Sequence, residues 1–218
     1  MLSCETEPYV TLEQGIRDTW GKYESPQAKI FYYYGGKKHI ETVGDKLHLS
    51  APEGYWNIGR KTLQMYEYFM NTHEFDYLYR VNSSSFVCIH NLLKYIHNKP
   101  RQGFYSGFPV THTKQTDMKF ASGAGYFLSR DLVESIVKNK HMWNHSRVDD
   151  VALGQLMKQL DVNLHPAGCV HVKIHDNYKP DTDPDAYHYR CKHWREPRTN
   201  DVEMMKILYN YYKSNEIF

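Results

Sequence analysis

The chain has 218 residues, of which 41% are hydrophobic and 24% charged, enough to bury a substantial core in one domain and too apolar for a long disordered tract. A formal net charge of +2 excludes wholesale nucleic-acid or membrane-surface binding, so no nucleic-acid partner is expected and basic function must come from local clusters. No run approaches a membrane span, and the start MLSCETEPY lacks both a basic opening and an apolar signal core. The expectation is no transmembrane segment and a cytoplasmic location.

Thr11 with Gln14 forms a capping-box pattern that predicts a helix over 12–20. Lys29 to Tyr34 reads as a buried strand stopped by Gly35-Gly36. Apolar residues at helical spacing (Ile58, Leu63, Tyr66, Phe69, Met70) predict a helix over 55–70, followed by a strand over 75–81 and a helix over 87–96. Farther on, 125–128 reads as a strand, Ser129 as the cap of a helix to 139, and Asp149 as the cap of another to 160. Cys169 to Ile174 alternates as a strand, and Asn200 with Glu203 opens a last helix ending near Tyr212. The β-α-β-α order predicts a single α/β domain, 1–218, with a mostly parallel sheet flanked by helices. Cys4, Cys88, Cys169 and Cys191 lack a CxxC pair and read as reduced thiols. The 19 tyrosines offer stacking faces for sugars or nucleobases and serve equally well as strand packing.

In open α/β sheets ligands bind beyond the carboxyl ends of the strands. The polar run Asn82-Ser83-Ser84-Ser85 directly after Val81 is therefore a candidate site; such a run also makes an ordinary turn and helix cap.

Five segments in order resemble the β1,3-galactosyltransferase and Fringe families. Ile16-Arg17-Asp18-Thr19-Trp20-Gly21 is similar to IRxTWG, and Gly54 to Thr62 (GYWNIGRKT) to DSYxNLTxKT. Tyr79 to Val87 (YRVNSSSFV) occupies the place of KxDDDVFV, Ala121 to Ser129 (ASGAGYFLS) is like YxSGxGYxLS, and Val148 to Gly154 (VDDVALG) is like EDVYVG. The resemblance covers roughly residues 15–155. It implies a GT-A-type nucleotide-sugar-binding domain and an inverting glycosyltransferase, moving a sugar from a nucleotide-diphosphate sugar to a carbohydrate hydroxyl.

Such a transfer needs a base for the acceptor hydroxyl and a stabiliser for the charge growing on the departing diphosphate. The resemblance assigns the base to Asp150, with Asp149 beside it near the acceptor; both acids also suit a helix N-terminus. Where the family holds Mn²⁺ or Mg²⁺ with an Asp-x-Asp element, this chain has Asn82, Ser83 and Ser84, neutral ligands that a hard divalent cation binds poorly. No metal is therefore expected, and fixed cations must replace it. His188, Arg190, Lys192, Arg195 and Arg198 supply a basic cluster before the last helix; a solvated loop is the competing reading. Asn82, Ser83 and Ser84 would then bind ribose or sugar hydroxyls directly.

Arg17 and Lys61 are placed by the resemblance near the nucleotide, and each also suits a helix surface. Arg80 lies in a strand among apolar neighbours and needs a partner, either a carboxylate or the nucleotide. Ser122, Gly123 and Tyr126 are expected to face the acceptor, with Phe108 and Trp143 as stacking platforms or core. Two other readings stay open: a catalytically inactive sugar- or nucleotide-binding module on the same fold, and a metal recruited by Asp45, Asp76 or histidines. Without an anchor the chain departs from Golgi members of the family, which fits a bacterial or viral protein or one domain of a longer chain.

Overall fold

The computed structural model describes residues 1–111, 118–172, 182–193 and 198–217. The helices are α1 (Tyr9–Arg17), α2 (Ile58–Thr72), α3 (Ile89–Ile96), α4 (Arg130–Lys138), α5 (Asp149–Gln159) and α6 (Thr199–Ser214). The strands are β1 (Tyr32–Tyr34), β2 (Glu41–Val43), β3 (Lys46–His48), β4 (Tyr77–Val81), β5 (Ser85–Val87), β6 (Tyr105–Thr111), β7 (Lys119–Ser129), β8 (Leu164–Pro166), β9 (Val170–His171) and β10 (His188–Arg190).

Leu2 joins two of the sheets into one surface. It bridges Tyr33 of β1 in parallel, and its N–H donates to the Val81 carbonyl at the end of β4. The order across the molecule is thus β2-β3-β1, then Leu2, then β4-β7-β6-β8, while β5-β10-β9 forms a smaller sheet. Pairing is mixed rather than mostly parallel. β1–β3, β6–β8 and β9–β10 run parallel, whereas β2–β3, β4–β7, β6–β7 and β5–β10 run antiparallel. One antiparallel pair had a local signal: Gly44-Asp45 between β2 and β3 is a two-residue hairpin loop, and Gly44 takes the positive φ of 62° that such a turn requires.

β7 divides the core. Phe127 packs with Trp20, Phe86, Met204, Leu208 and Tyr212 on one face, while Tyr126 and Leu128 pack with Leu63, Tyr66, Leu132, Ile136 and Leu153 on the other. Period-two alternation makes this possible, and it gives helices α1, α3 and α6 one side of the sheet and α2, α4 and α5 the other. Each large side chain so buried contributes roughly 1.5–3 kcal/mol.

Several element boundaries move from expectation. α1 starts at Tyr9, before the Thr11 pattern, and ends at Arg17 ahead of a short 3-10 turn at Trp20–Lys22. Asp149 is the first residue of α5, with Val148 at the N-cap position, because its carboxylate is drawn inward to Arg80. The strand expected over 169–174 spans Val170–His171, and positions 173 and 174 lie outside the described residues. Among the described residues no helix is long and apolar enough to cross a membrane.

Candidate functional site

The loop after β4 is clamped from three directions. The Asn82 N–H donates to the Ala124 carbonyl at 3.1 Å, which fixes the loop beside the Ser122–Gly125 stretch of β7. Asn82 Oδ1 turns back on its own chain, accepting from the Ser84 N–H at 3.2 Å and the Ser85 hydroxyl at 3.0 Å. That is an Asx turn, so its oxygen is already engaged. His188 Nε2 meets the same Ser85 hydroxyl at 3.0 Å. Burial, then the charges of Arg190 and His171, hold the His188 imidazole down to about 3, so it is neutral and braces the loop from inside. The expected contact of His188 with a donor is not available to a side chain this buried.

Register on the small sheet carries basic residues to the same loop. Arg190 pairs with Ser85 across β5–β10, and the Cys191 N–H donates to the Ser84 carbonyl at 2.9 Å. Ser84 Oγ accepts from Arg198 Nη2 at 2.6 Å, across 114 positions of sequence. Arg198 is itself oriented by Asp201, whose Oδ2 accepts from Arg198 Nε at 2.9 Å and whose Oδ1 accepts from the His193 N–H at 2.7 Å. Buried Arg190 Nη1 finds no hydrogen-bond partner among the described residues. Burial first, then Arg198 and Arg80 against the partial relief of Cys169 and Asp201, lowers the Arg190 guanidinium to about 10. Lys192 is likewise lowered, by burial and then by Arg190 and Arg198. These cations oppose one another in the protein alone, a cost that a bound anion would relieve. Arg195 lies outside the described residues.

Facing the loop, β7 and α5 bring two carboxylates to different environments. Asp149 is buried and ion-paired to Arg80 Nη2 at 2.5 Å, with the Thr62 hydroxyl at 3.3 Å. Burial pushes its carboxyl up against the opposing pull of Arg80. Asp150, one residue on, is only partly buried and accepts from the Gly123 N–H at 2.8 Å through Oδ2 and from the Val151 N–H at 2.8 Å through Oδ1. Arg80 has its carboxylate partner in Asp149, and further donates to the Gly123 carbonyl and to the Tyr33 hydroxyl. It therefore acts within the protein rather than on a nucleotide.

Other expected contacts are not brought to this cleft. Arg17 forms a bidentate pair with Asp45 at 2.7 and 3.0 Å, bonds Glu13, and lies over the Tyr32 ring, a set that fills its donor face. Lys61 is 2% exposed and bonds Glu53 at 2.7 Å and the Ser3 carbonyl at 2.9 Å, tying α2 to the N-terminal segment. Tyr126 is 0% exposed, with its hydroxyl on that of Tyr66, so it is core and not an acceptor contact. Trp143 is also core, packed against Tyr66. Phe108 is partly exposed against the His171 ring. Ser122 and Gly123 are partly exposed, Gly123 directly against Asp150. Asp45 and Asp76 are paired with Arg17 and Arg101, and no cluster of three His, Cys, Asp or Glu suited to a metal occurs among the described residues. A cavity of about 600 Å³ runs along β4 from Phe75 to Val81, with His97 and Arg101 also in its lining, and includes none of Asn82, Ser84, Asp150 or Arg198. Asp201 escaped the sequence reading, since nothing local marks a helix acid as the brace of an arginine that reaches Ser84.

A family model described as galactosyltransferase matches residues 109–167, which include Ser122–Tyr126 and Asp149–Asp150 but not the Asn82 loop. Human UDP-GalNAc:beta-1,3-N-acetylgalactosaminyltransferase 1 is 25% identical, over 72% of this chain and 58% of that one. Hydroxyproline O-galactosyltransferase GALT6 of Arabidopsis thaliana is 24% identical over 62% of this chain and 23% of its own length. The chain thus spans less than two thirds of these relatives. In structure, a glycosyltransferase involved in the glycosylation of the major capsid of PBCV-1 superposes with a TM-score of 0.53 at 14% identity, covering 94% of this chain and 97% of that one. Taken with the motif order, these matches make the chain similar to β1,3-galactosyltransferases over part of its length, and its mixed α/β architecture similar to the fold of a solved glycosyltransferase.

Proposed function

We propose that the protein is an inverting glycosyltransferase that uses a nucleotide-diphosphate sugar, of the UDP-hexose class suggested by the names of its relatives, and that it works without a divalent metal. What carries the reading is the contact of Arg198 with Ser84: a guanidinium stands 2.6 Å from the oxygen that replaces a metal-binding carboxylate. A divalent cation does not fit these donors, because Asn82 Oδ1 is spent on its own turn and Ser84 Oγ faces a positive charge.

In this reading Arg198 and Arg190 take the diphosphate oxygens, with Lys192 adding charge beside them. Asp150 removes the proton from the acceptor hydroxyl, the resulting oxygen attacks the anomeric carbon, and the bond to the diphosphate breaks on the opposite face. The diphosphate leaves with its extra negative charge against fixed cations already oriented by Asp201 and Ser84. Asp150 suits the base role by its partial exposure and by the two backbone donors that set its plane.

The test is a panel of UDP-sugars with saccharide acceptors, assayed with and without EDTA. Transfer that survives EDTA and is lost in Asp150→Asn supports the whole reading. Transfer abolished by EDTA and restored by Mn²⁺ refutes metal independence, and UDP binding without turnover in any mixture supports an inactive nucleotide-binding module instead.

A further inference from the structure

We infer that the buried Arg80–Asp149 pair is a positioning device for Asp150, acting through the backbone of Gly123; the inference rests on the reading of Asp150 as base. An ion pair buried this deeply is weak evidence for stability, since desolvating two charges cancels much of their attraction, so its geometry calls for another explanation. Arg80 spends every face of its guanidinium: Nη2 on Asp149 Oδ2 at 2.5 Å, Nε on the Tyr33 hydroxyl at 3.3 Å, and Nη1 on the Gly123 carbonyl. Asp149 is in turn steadied by the Thr62 hydroxyl at 3.3 Å. The pair is thus locked to α2, β1 and α5, and its one outward bond ends on Gly123.

Gly123 passes that constraint on. Its N–H donates to Asp150 Oδ2 at 2.8 Å, and a Cβ added there would lie 2.9 Å from the same oxygen and 3.2 Å from Cγ. The carboxylate therefore rests on a bare Cα whose carbonyl Arg80 holds. The second oxygen is set by the Val151 N–H at 2.8 Å. Neither Arg80, 2% exposed, nor Asp149, 4% exposed, is open to a substrate. They act by deciding where the neighbouring carboxylate stands, and displacement of a reacting group by about 1 Å can cost about 100-fold in rate.

The pair also gives neighbouring acids different tasks. Asp149 is turned inward to a cation and Asp150 outward to two amides, although both open the same helix. Without Arg80 nothing on β4 would separate them.

The experiment compares the full chain with Arg80→Met/Asp149→Leu, which removes both charges while keeping apolar volume. Arg80→Lys keeps the cation, and Asp150→Asn serves as reference. Three quantities are read: UDP binding by calorimetry, kcat with a UDP-sugar, and the Gly123 amide resonance in a ¹H–¹⁵N spectrum. The double variant is expected to bind UDP within about twofold of the parent, to lose about 10- to 100-fold in kcat, and to move the Gly123 amide as Asp150→Asn does. Arg80→Lys is expected to recover part of the kcat. An unmoved Gly123 amide, or a kcat within about twofold of the parent, overturns the positioning role. If the double variant does not fold, Asp149→Asn, of the same shape, gives the same readouts. Activity that persists in Asp150→Asn sinks the base assignment alone, because the amide resonance still reports whether the pair places that carboxylate.

Discussion

Replacing Arg190 by Met should make the protein more stable and its diphosphate binding weaker, two effects of opposite sign from one change. In the folded chain the guanidinium is lowered from its ordinary value to about 10, chiefly by burial, and its Nη1 meets no acceptor among the described residues. Such a fall is a penalty on the charged form of at most about 3 kcal/mol, at about 1.4 kcal/mol per tenfold. The group is a cation whose folded value is depressed, so the penalty is complete below about pH 10 and fades only as pH rises through that value into the ordinary arginine range. At neutral pH a Met of similar stem removes it and keeps the packing. For a chain of this length the melting temperature should rise by several degrees, at about 2–4 °C per kcal/mol. Loss of one charge-assisted contact to phosphate, about 1.5–3 kcal/mol, should weaken UDP binding by about 10- to 100-fold. Scanning calorimetry and titration calorimetry in one buffer measure both. A melting temperature that falls, or a UDP affinity that does not change, would show that Arg190 is an ordinary structural cation and not part of an anion site.

Other consequences follow from the same contacts. Asp150→Asn should lower kcat by about 100- to 10,000-fold while UDP affinity stays near that of the parent, which separates base from binding residue; comparable losses in both would count against it. Asn82→Asp/Ser84→Asp should not acquire Mn²⁺ dependence, because Arg198, 2.6 Å from the Ser84 oxygen, would pair with the new carboxylate; Mn²⁺-dependent UDP binding should appear only when Arg198→Ala is added. His188 is a buried base lowered from 6.5 to about 3, so stability should be full above pH 6.5 and fall as pH drops through it, by about 2 kcal/mol at pH 5. Urea midpoints at the two pH values check this, and His188→Gln should flatten the difference; an unchanged slope in that variant would place the acid sensitivity elsewhere.

Much of the architecture was written locally. Helical spacing located α2, and the Ser129 cap located α4, to within a few residues, and the polar break after Val81 marked the loop that follows β4. The order of motifs, with Asn82, Ser83 and Ser84 at the place of the resembled family's acidic element, already raised the question of what that loop holds in place of carboxylates. These features were readable because periodicity and turn chemistry depend on residues a few positions apart. Pairing was not: β5 finds β10 and β1 finds Leu2 through contacts that no short window contains, so the mixed sheet emerged only on folding.

The same distance in sequence hid the roles of individual charges. Arg17, Lys61 and Arg80 looked alike as basic residues in the segments that carry the family resemblance, yet Asp45, Glu53 and Asp149 claim them respectively. Tyr126, expected at the acceptor, is turned into the core toward Tyr66 by alternation along β7. What the sequence alone determined was which side chains were available and which metal ligands were missing. Which cation reaches Ser84, and which of two adjacent aspartates faces the cleft, was decided by tertiary structure, since a charge acquires its function from partners that only the folded chain brings within a few ångströms.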